Sequence, residues 1–449
     1  MTALRLRGSF MEKRMKGMGQ MTDVSQRDNS LESIRGIRVI DVDTHLTEPA
    51  DLWTSRAPKA YRDRVPRVEF VKGSAAAQMK GSHVVSEHWM AKAWRQSEEA
   101  KPMWVVDTDV ILGFAGGASV INAENVKVKG SQFINWPLTE VSPAASYVAP
   151  RLSIMDEVGI WGQIVYPNAV GFGGQEFASI ADPKLRSLCA TIWNDAMAEM
   201  QEESSGRING MGLVPWWDRD LAVSEIQRIH DLGLHGVNTN ADPQNQGLPD
   251  LGDRYWDPMW EACAGLGLPV NFHIGASVSQ STYSGNGPWP SHDNDTKLGL
   301  ASALLYIGNA RVLANFIYSG LLDRHPALKV VSVESGIGWI PFILEALDYQ
   351  AGENNIDHLE LKPSEYFKRQ IYACFWFEGA ASDFLNTVRL LGVENCMFET
   401  DFPHPTCLYP RPLDGIAELL EGTDYESRRK LLGGNAARVY NLSLPEADV

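Results

Sequence analysis

The feature that most constrains this chain is a rhythm. Eight short segments rich in β-branched and apolar residues recur along it, each followed by a turn and usually by a stretch of helical periodicity. They are IRVIDV (37–42), GQIVY (162–166), INGMGLV (208–214), LHGVNT (234–239), PVNFHI (269–274), LKVVSVE (328–334), IYACFW (371–376) and CMFET (396–400). Helix-period stretches cover 183–203, 221–232, 256–266, 298–322 and 339–350. Strands that alternate with helices pair in parallel, because each helical crossover returns the chain to the same end of the sheet. Eight such units predict an α/β chain folded as a (β/α)8 TIM barrel. A length of 449 residues suits one large barrel with insertions, or two medium domains, and the eightfold rhythm favours the barrel.

The rhythm is interrupted by a long insertion after the first strand, 51–150, rich in Gly, Ser, Pro and Trp and with little helical or strand periodicity. Insertions of this kind sit over the active face of a barrel, so a lid or an interface is expected there. A shorter insertion over 277–296 has loop composition (STYSGNGPWPSHDND). Residues 1–35, with methionines interleaved among Arg5, Arg7, Lys13, Arg14 and Lys16, read as a disordered tail before one metal-dependent barrel domain over 36–445. No apolar run is expected to span a membrane. A formal net charge of −16 argues against a nucleic-acid partner. The five cysteines, Cys189, Cys263, Cys374, Cys396 and Cys407, form no CxxC pair and read as reduced thiols of a cytoplasmic protein.

Barrel enzymes place their chemistry at the C-terminal ends of the strands. The first strand ends in Asp41, Asp43 and His45, at i, i+2 and i+4, a spacing that puts all three on one side of an extended chain. Glu48 follows. The fifth strand ends in His273, the sixth in Glu334, and the eighth in Asp401 with His404 just beyond. Buried acids that converge on one mouth repel each other and are costly to desolvate; a divalent cation answers both problems, and histidine with carboxylate is an ordinary ligand set for Zn, Mn or Fe. Arg311 and Arg324 are candidates for a substrate carboxylate, and Tyr166, Asn168, Asn238, Asn240, His83 and His292 for the pocket lining. Trp53, Trp216, Trp217, Trp339 and Trp376 fall near strand ends and are read first as packing residues.

Four motifs, VIDVDTHLTEP, NFHIG, VESGIGWIP and ETDFPHP, resemble the amidohydrolase-related branch of the amidohydrolase superfamily, which includes aminocarboxymuconate semialdehyde decarboxylase and aromatic-acid decarboxylases. The resemblance runs from about residue 37 to 440, weakly over the insertion. It implies a metal held by Asp43 and His45, by His273 and by Asp401, with Asp401 also acting as base toward water activated by the metal. Two positions depart from the decarboxylases: Asp-x-His stands where His-x-His or a Glu variant is common, and Glu334 stands where they carry a His. Asp43, Glu48, Glu334 and Asp401 with three histidines make a carboxylate-rich set of metal ligands for one ion or two. In this respect the chain is similar to dinuclear Fe or Fe/Mn hydroxylases of the family, such as 2-aminoisobutyrate hydroxylase.

Three functions follow as expectations. The first is a metal-dependent hydrolase or non-oxidative decarboxylase of a small carboxylate or amide, with Asp401, Glu334 and His404 as catalytic groups. The second is an oxygen-activating hydroxylase with a dinuclear Fe/Mn centre. The third is a supporting subunit of a paralogous barrel enzyme. A homo-oligomer, or a hetero-oligomer with such a paralogue, is expected in each case.

Overall fold

The computed structural model describes residues 31–81, 89–277, 279, 289, 291–379 and 383–445. Most of the expected tail, His83 and much of the second insertion lie outside the described residues. Where the tail is described it is packed rather than loose: Ile34 joins the main core, and Arg428 Nη1 donates to Ser33 O at 3.0 Å.

Thirteen strands are present among the described residues. β1 is Ile40–His45; β2 Arg67–Lys72, β3 Lys80–Gly81, β4 Ala100–Val106 and β5 Val110–Phe114 lie in the insertion. β6 is Gly162–Tyr166, β7 Ile208–Gly210, β8 Gly212–Leu213, β9 Val237–Asn238, β10 Val270–His273, β11 Val330–Val333, β12 Ile371–Phe375 and β13 Cys396–Phe398. β7 and β8 flank Met211 within a single expected segment. Parallel pairing runs β1-β6-β7 and β8-β9-β10-β11-β12-β13. The last strand returns to the first: Asp401 N–H donates to Asp43 O at 2.9 Å and His45 N–H to Phe402 O at 2.7 Å. This α/β arrangement has the strand order that a closed eight-membered ring requires.

Two apolar layers follow from the alternation along these strands. Ile40, Val42, Ile164, Val331, Val333 and Met397 pack inside the ring, where Tyr440 from the C-terminal segment joins them and donates from its hydroxyl to Asn271 Oδ1 at 2.7 Å. Outward-facing Val165, Leu213, Phe272, Val330 and Phe375 pack against the helices, among them α1 (Val148–Val158), α2 (Pro183–Glu203) and α3 (Arg219–Asp231). Helix starts are conventional: Asp182 caps α2 and Asp218 caps α3, each accepting two backbone amides of the first turn.

The expected single helix over 298–322 is broken. α4 (Asn294–Leu305) and α5 (Ala310–Tyr318) are separated by a 3-10 turn at Tyr306–Asn309, where buried Asn309 donates to Phe272 O and Ser332 Oγ. By length and composition Asn294–Tyr318 would suffice to cross a membrane, contrary to the sequence expectation, but Val312, Leu313, Phe316 and Ile317 are core residues.

The insertion also differs from expectation. It holds a four-stranded sheet in the order β2-β4-β5-β3, in which β4 pairs antiparallel with β2 and β5. One face, with Trp104, Val106 and Leu112, packs on the main core, where Trp104 meets Trp53 edge-on at 5.3 Å; the other, with Met103, Val105 and Ile111, has its own small core. The chain then passes along the mouth of the ring. Val120 N–H donates to Pro403 O at 2.9 Å, and Lys127 Nζ bonds Cys407 O.

Candidate metal centre

β1 does not alternate cleanly. Its register against β6 shifts between Asp41 and Thr44. Ile40 and Val42 pack inside the ring, Asp43 and His45 converge at its mouth, and Asp41 parts from them. Asp41 accepts from Thr400 N at 2.8 Å and Thr400 Oγ1 at 2.6 Å and so ties β1 to the end of β13. Asp41, Asp43 and His45 therefore do not act as one set, because the irregularity rotates the end of the strand relative to its start.

His45, His273, Asp43, Glu334, Asp401 and His404 come together, in two overlapping groups: Asp43, His45, His273 and Glu334, and His45, Glu334, Asp401 and His404. His45 Nε2 lies 3.0 Å from His273 Nε2 and 3.6 Å from both Asp43 Oδ1 and Asp401 Oδ1. His273 Nε2 lies 3.4 Å from Asp43 Oδ1 and 3.1 Å from Glu334 Oε2. His273 Nδ1 donates to Ile274 O at 2.7 Å, and His45 Nδ1 lies 3.4 Å from Pro167 O. Nδ1–H donors on both rings leave the two facing Nε2 atoms with bare lone pairs. Both carboxylate oxygens of Asp43 are buried without a hydrogen-bond partner, and Oδ1 of Asp401, likewise buried, faces imidazole nitrogens, His404 Nδ1 at 3.0 Å and His45 Nε2 at 3.6 Å.

Facing lone pairs and orphaned carboxylate oxygens are unfavourable unless a cation stands between them. Ligands about 2.0–2.2 Å from one ion are themselves about 3.0–3.6 Å apart, which is the spacing observed. The residues fit a divalent metal, with Asp43, His45, His273, Glu334 and Asp401 as its holders. The electrostatics agree. Burial first, then the neighbouring Asp401, hold Asp43 and Glu334 well above the usual carboxylate range. Burial pushes His273 down to about 4, and burial with the neighbouring His404 and His273 lowers His45. Neutral imidazoles are the form that ligates metal.

Glu48 is not brought into this cluster. Its Oε1 accepts from Asn168 N at 2.8 Å and Ala169 N at 2.9 Å, so it pins the loop after β6. Arg311 is committed to Asp242 and Arg324 to Asp257, Ser319 O and Gly252 O; neither is a free carboxylate binder. His292 is exposed. Asn168 does reach the site: its Oδ1 accepts from His404 Nε2 at 2.8 Å, while its Nδ2 donates to Leu46 O. His404 then has Nδ1 turned to Asp401 Oδ1 at 3.0 Å, and Thr406 Oγ1 bonds Asp401 Oδ2.

Three residues were not singled out in the sequence. Phe172 lays its ring on His273 at 4.3 Å and on His45 at 4.9 Å and forms an apolar wall. It stands among Gly171, Gly173 and Gly174, a loop composition that does not mark a site residue. Arg151, on α1, is buried; it donates from Nε to Ala144 O at 2.9 Å, from Nη1 to Thr44 Oγ1 at 3.3 Å and from Nη2 to His45 O. Glu399 lies fully buried beside the cluster. Its spacing of two residues from Asp401 was the available signal. Glu334 and Asp401 both take left-handed backbone angles, φ 51° and 59°, which side-chain-bearing residues adopt chiefly where surrounding structure enforces them.

Comparison with known proteins places this geometry. The chain is 26% identical over 309 residues to gamma-resorcylate decarboxylase of Polaromonas sp. (strain JS666 / ATCC BAA-500), covering 65% of this chain and 87% of that protein. It is 27% identical over 261 residues to 2-amino-3-carboxymuconate-6-semialdehyde decarboxylase of Dictyostelium discoideum, covering 56% and 66%. An amidohydrolase structure from Mycobacterium avium subsp. paratuberculosis K-10 superposes with a TM-score of 0.65 at 21% identity, over 90% of this chain and 99% of that one. The amidohydrolase family profile matches residues 142–442, and the chain belongs to that family.

Proposed function

We propose that the chain is a divalent-metal-dependent (β/α)8-barrel enzyme that removes CO2 from an aromatic carboxylate without oxidation. The observation that carries the metal is the pair of bare Nε2 atoms at 3.0 Å facing orphaned carboxylate oxygens. The decarboxylase names of both relatives support the reaction. Glu334 keeps 7% of its surface exposed and neighbouring His404 4%, against 1% for His273 and none for Asp43, His45 and Asp401, so the Glu334 and His404 side of the cluster lies nearest the surface. Half-buried Phe172 offers a planar ring one apolar face.

When bound, the ion supplies Lewis acidity that draws an anionic substrate to an otherwise acid-rich mouth. The chain's own residues handle the proton. His404 Nε2–H is spent on Asn168, so Nδ1 exchanges a proton with Asp401 Oδ1. Asp401 delivers that proton to the ring carbon bearing the carboxylate. The ring's π electrons form the new C–H bond, and the C–C pair returns to the ring as CO2 leaves.

The test is CO2 release from a panel of hydroxylated benzoates by protein loaded in turn with Mn, Zn or Fe. Metal-dependent release from at least one is the expected result. Full metal loading with hydrolysis of amides and no CO2 from any aromatic acid would replace this reading with the hydrolase one. The dinuclear hydroxylase reading gains nothing from these relatives.

A further inference from the structure

One buried carboxylate beside the cluster has no part in the chemistry above. Glu399, just beyond β13, is fully buried; its Oε2 accepts the backbone N–H of Glu334 at 3.1 Å, and its Oε1 has no hydrogen-bond partner. The amide it holds belongs to the residue with φ 51°, the left-handed turn that follows β11. The far end of the same turn is held by a second acid: Glu378 accepts from Ile337 N at 2.5 Å through Oε1 and from Trp376 N at 3.1 Å through Oε2. Carboxylates from the ends of β12 and β13 thus grip the Glu334–Ile337 turn at both ends. A left-handed conformation at a residue with a Cβ persists only where its surroundings enforce it.

An acid is a poor choice for this task if stability is what it serves. Any side-chain oxygen would accept an amide, and here the acceptor neighbours Asp43, Asp401 and Glu334, each of which opposes a negative charge on it. The arrangement makes sense as alignment of the site. We infer that Glu399 is a positioning residue: by fixing the Glu334 amide it sets the turn that presents Glu334 Oε2 3.1 Å from His273 Nε2, and so sets the affinity of the centre for a divalent ion. The inference rests on the reading of Glu334 as a metal ligand.

The test compares Glu399→Leu and Glu399→Gln with the parent chain by titrating metal-free protein with Mn and Zn against a chelating dye. The metal-free melting temperature is recorded alongside. Loss of an outer-shell partner typically weakens metal binding ~10- to 100-fold, and that is the loss expected for Glu399→Leu. Glu399→Gln keeps an oxygen for the same amide and is expected to stay within about threefold of the parent. The metal-free Leu variant loses a repelled buried acid but strands the Glu334 amide, so its melting temperature serves to show that it still folds. Parent-like affinity in Glu399→Leu, or an equal loss in Glu399→Gln, overturns the proposal. Glu399→Met serves if Leu does not fold, and misfolding of both would make the residue structural and likewise overturn it. His45→Ala and His273→Ala separate the two levels. If they leave metal binding intact, the ligand reading itself fails. If they abolish binding while Glu399→Leu does not, only the role of Glu399 falls.

Discussion

Asp401 meets three demands at one carboxylate. Its backbone N–H closes the ring of strands onto Asp43 O, its Oδ2 is held by Thr406, and its Oδ1 faces both His45 and His404. Asn in its place keeps the backbone bond and the shape but carries no exchangeable acid proton and no charge. Asp401→Asn should therefore lower CO2 release by at least about 10²-fold, the usual scale of a lost general acid, with the metal-free melting temperature within a few degrees of the parent. A variant retaining a tenth of the parent rate would remove Asp401 from the proton transfer. Asp43, His45, His273, Glu334 and Asp401 gather as the sequence led one to expect, since each stands in the last residues of a barrel strand or within three residues of its C-terminal end. Glu48, as far past β1 as Asp401 is past β13, turns instead to the amides of Asn168 and Ala169, and position beyond a strand end does not say which way a side chain turns. Glu399 stood in the eighth segment unremarked, since one sequence does not show which of two nearby acids bonds a neighbouring turn.

At the scale of elements, most of the barrel strands were found within a few residues of their observed ends, and α2 at its observed bounds. β1 is displaced three residues toward its C-terminus, because Asp41 is accommodated by hydrogen bonds to Thr400 and Asp43 by the cluster rather than ending the strand. The sheet in the insertion escaped notice because its strands follow one another without the helices of the βα rhythm and β2, RVEFVK, is mostly exposed, so its alternation lacks a hydrophobic face. The contacts that align the site also cross between elements far apart in sequence. Arg151 on α1 binds Thr44 Oγ1 and His45 O on β1 and Ala144 O before the helix, with its guanidinium 5.4 Å from the centre of the Phe402 ring. Arg151→Met keeps much of the volume but strands these buried acceptors, at about 1–3 kcal/mol each at most. The expected outcome is a lower denaturant midpoint together with weaker Mn binding, because the carbonyl it releases belongs to a ligand. A drop in midpoint with unchanged metal affinity would confine Arg151 to the fold.

For the molecule as a whole, buried ionisable groups link stability, pH and metal. Burial raises Asp41 and Glu48 to about 7 and Glu176 to about 8. Their folded values exceed their unfolded ones, so their contribution to stability is complete below the ordinary carboxylate range and is lost as pH rises through 7 and 8. His273 runs the other way: lowered to about 4, its contribution is present above about 6.5 and lost as pH falls toward 4. Between pH 6.5 and 8 the histidine is already neutral and the carboxyls are still changing, so the metal-free melting temperature should fall across that window. Glu176→Gln should flatten part of the fall, since this carboxyl is displaced by burial alone and lies outside both ligand groups. A divalent ion acts at Asp43 and Glu334, whose protons it must displace, so its binding strengthens as pH rises. At about 100 times its dissociation constant it adds about 2.7 kcal/mol. Thermal melts with and without Mn at pH 6.5 and pH 8 should therefore show a larger metal-induced rise at pH 8. A rise that is equal at both values would mean that the ion binds away from the protonated carboxyls, and the buried cluster would then lose its standing as the metal centre.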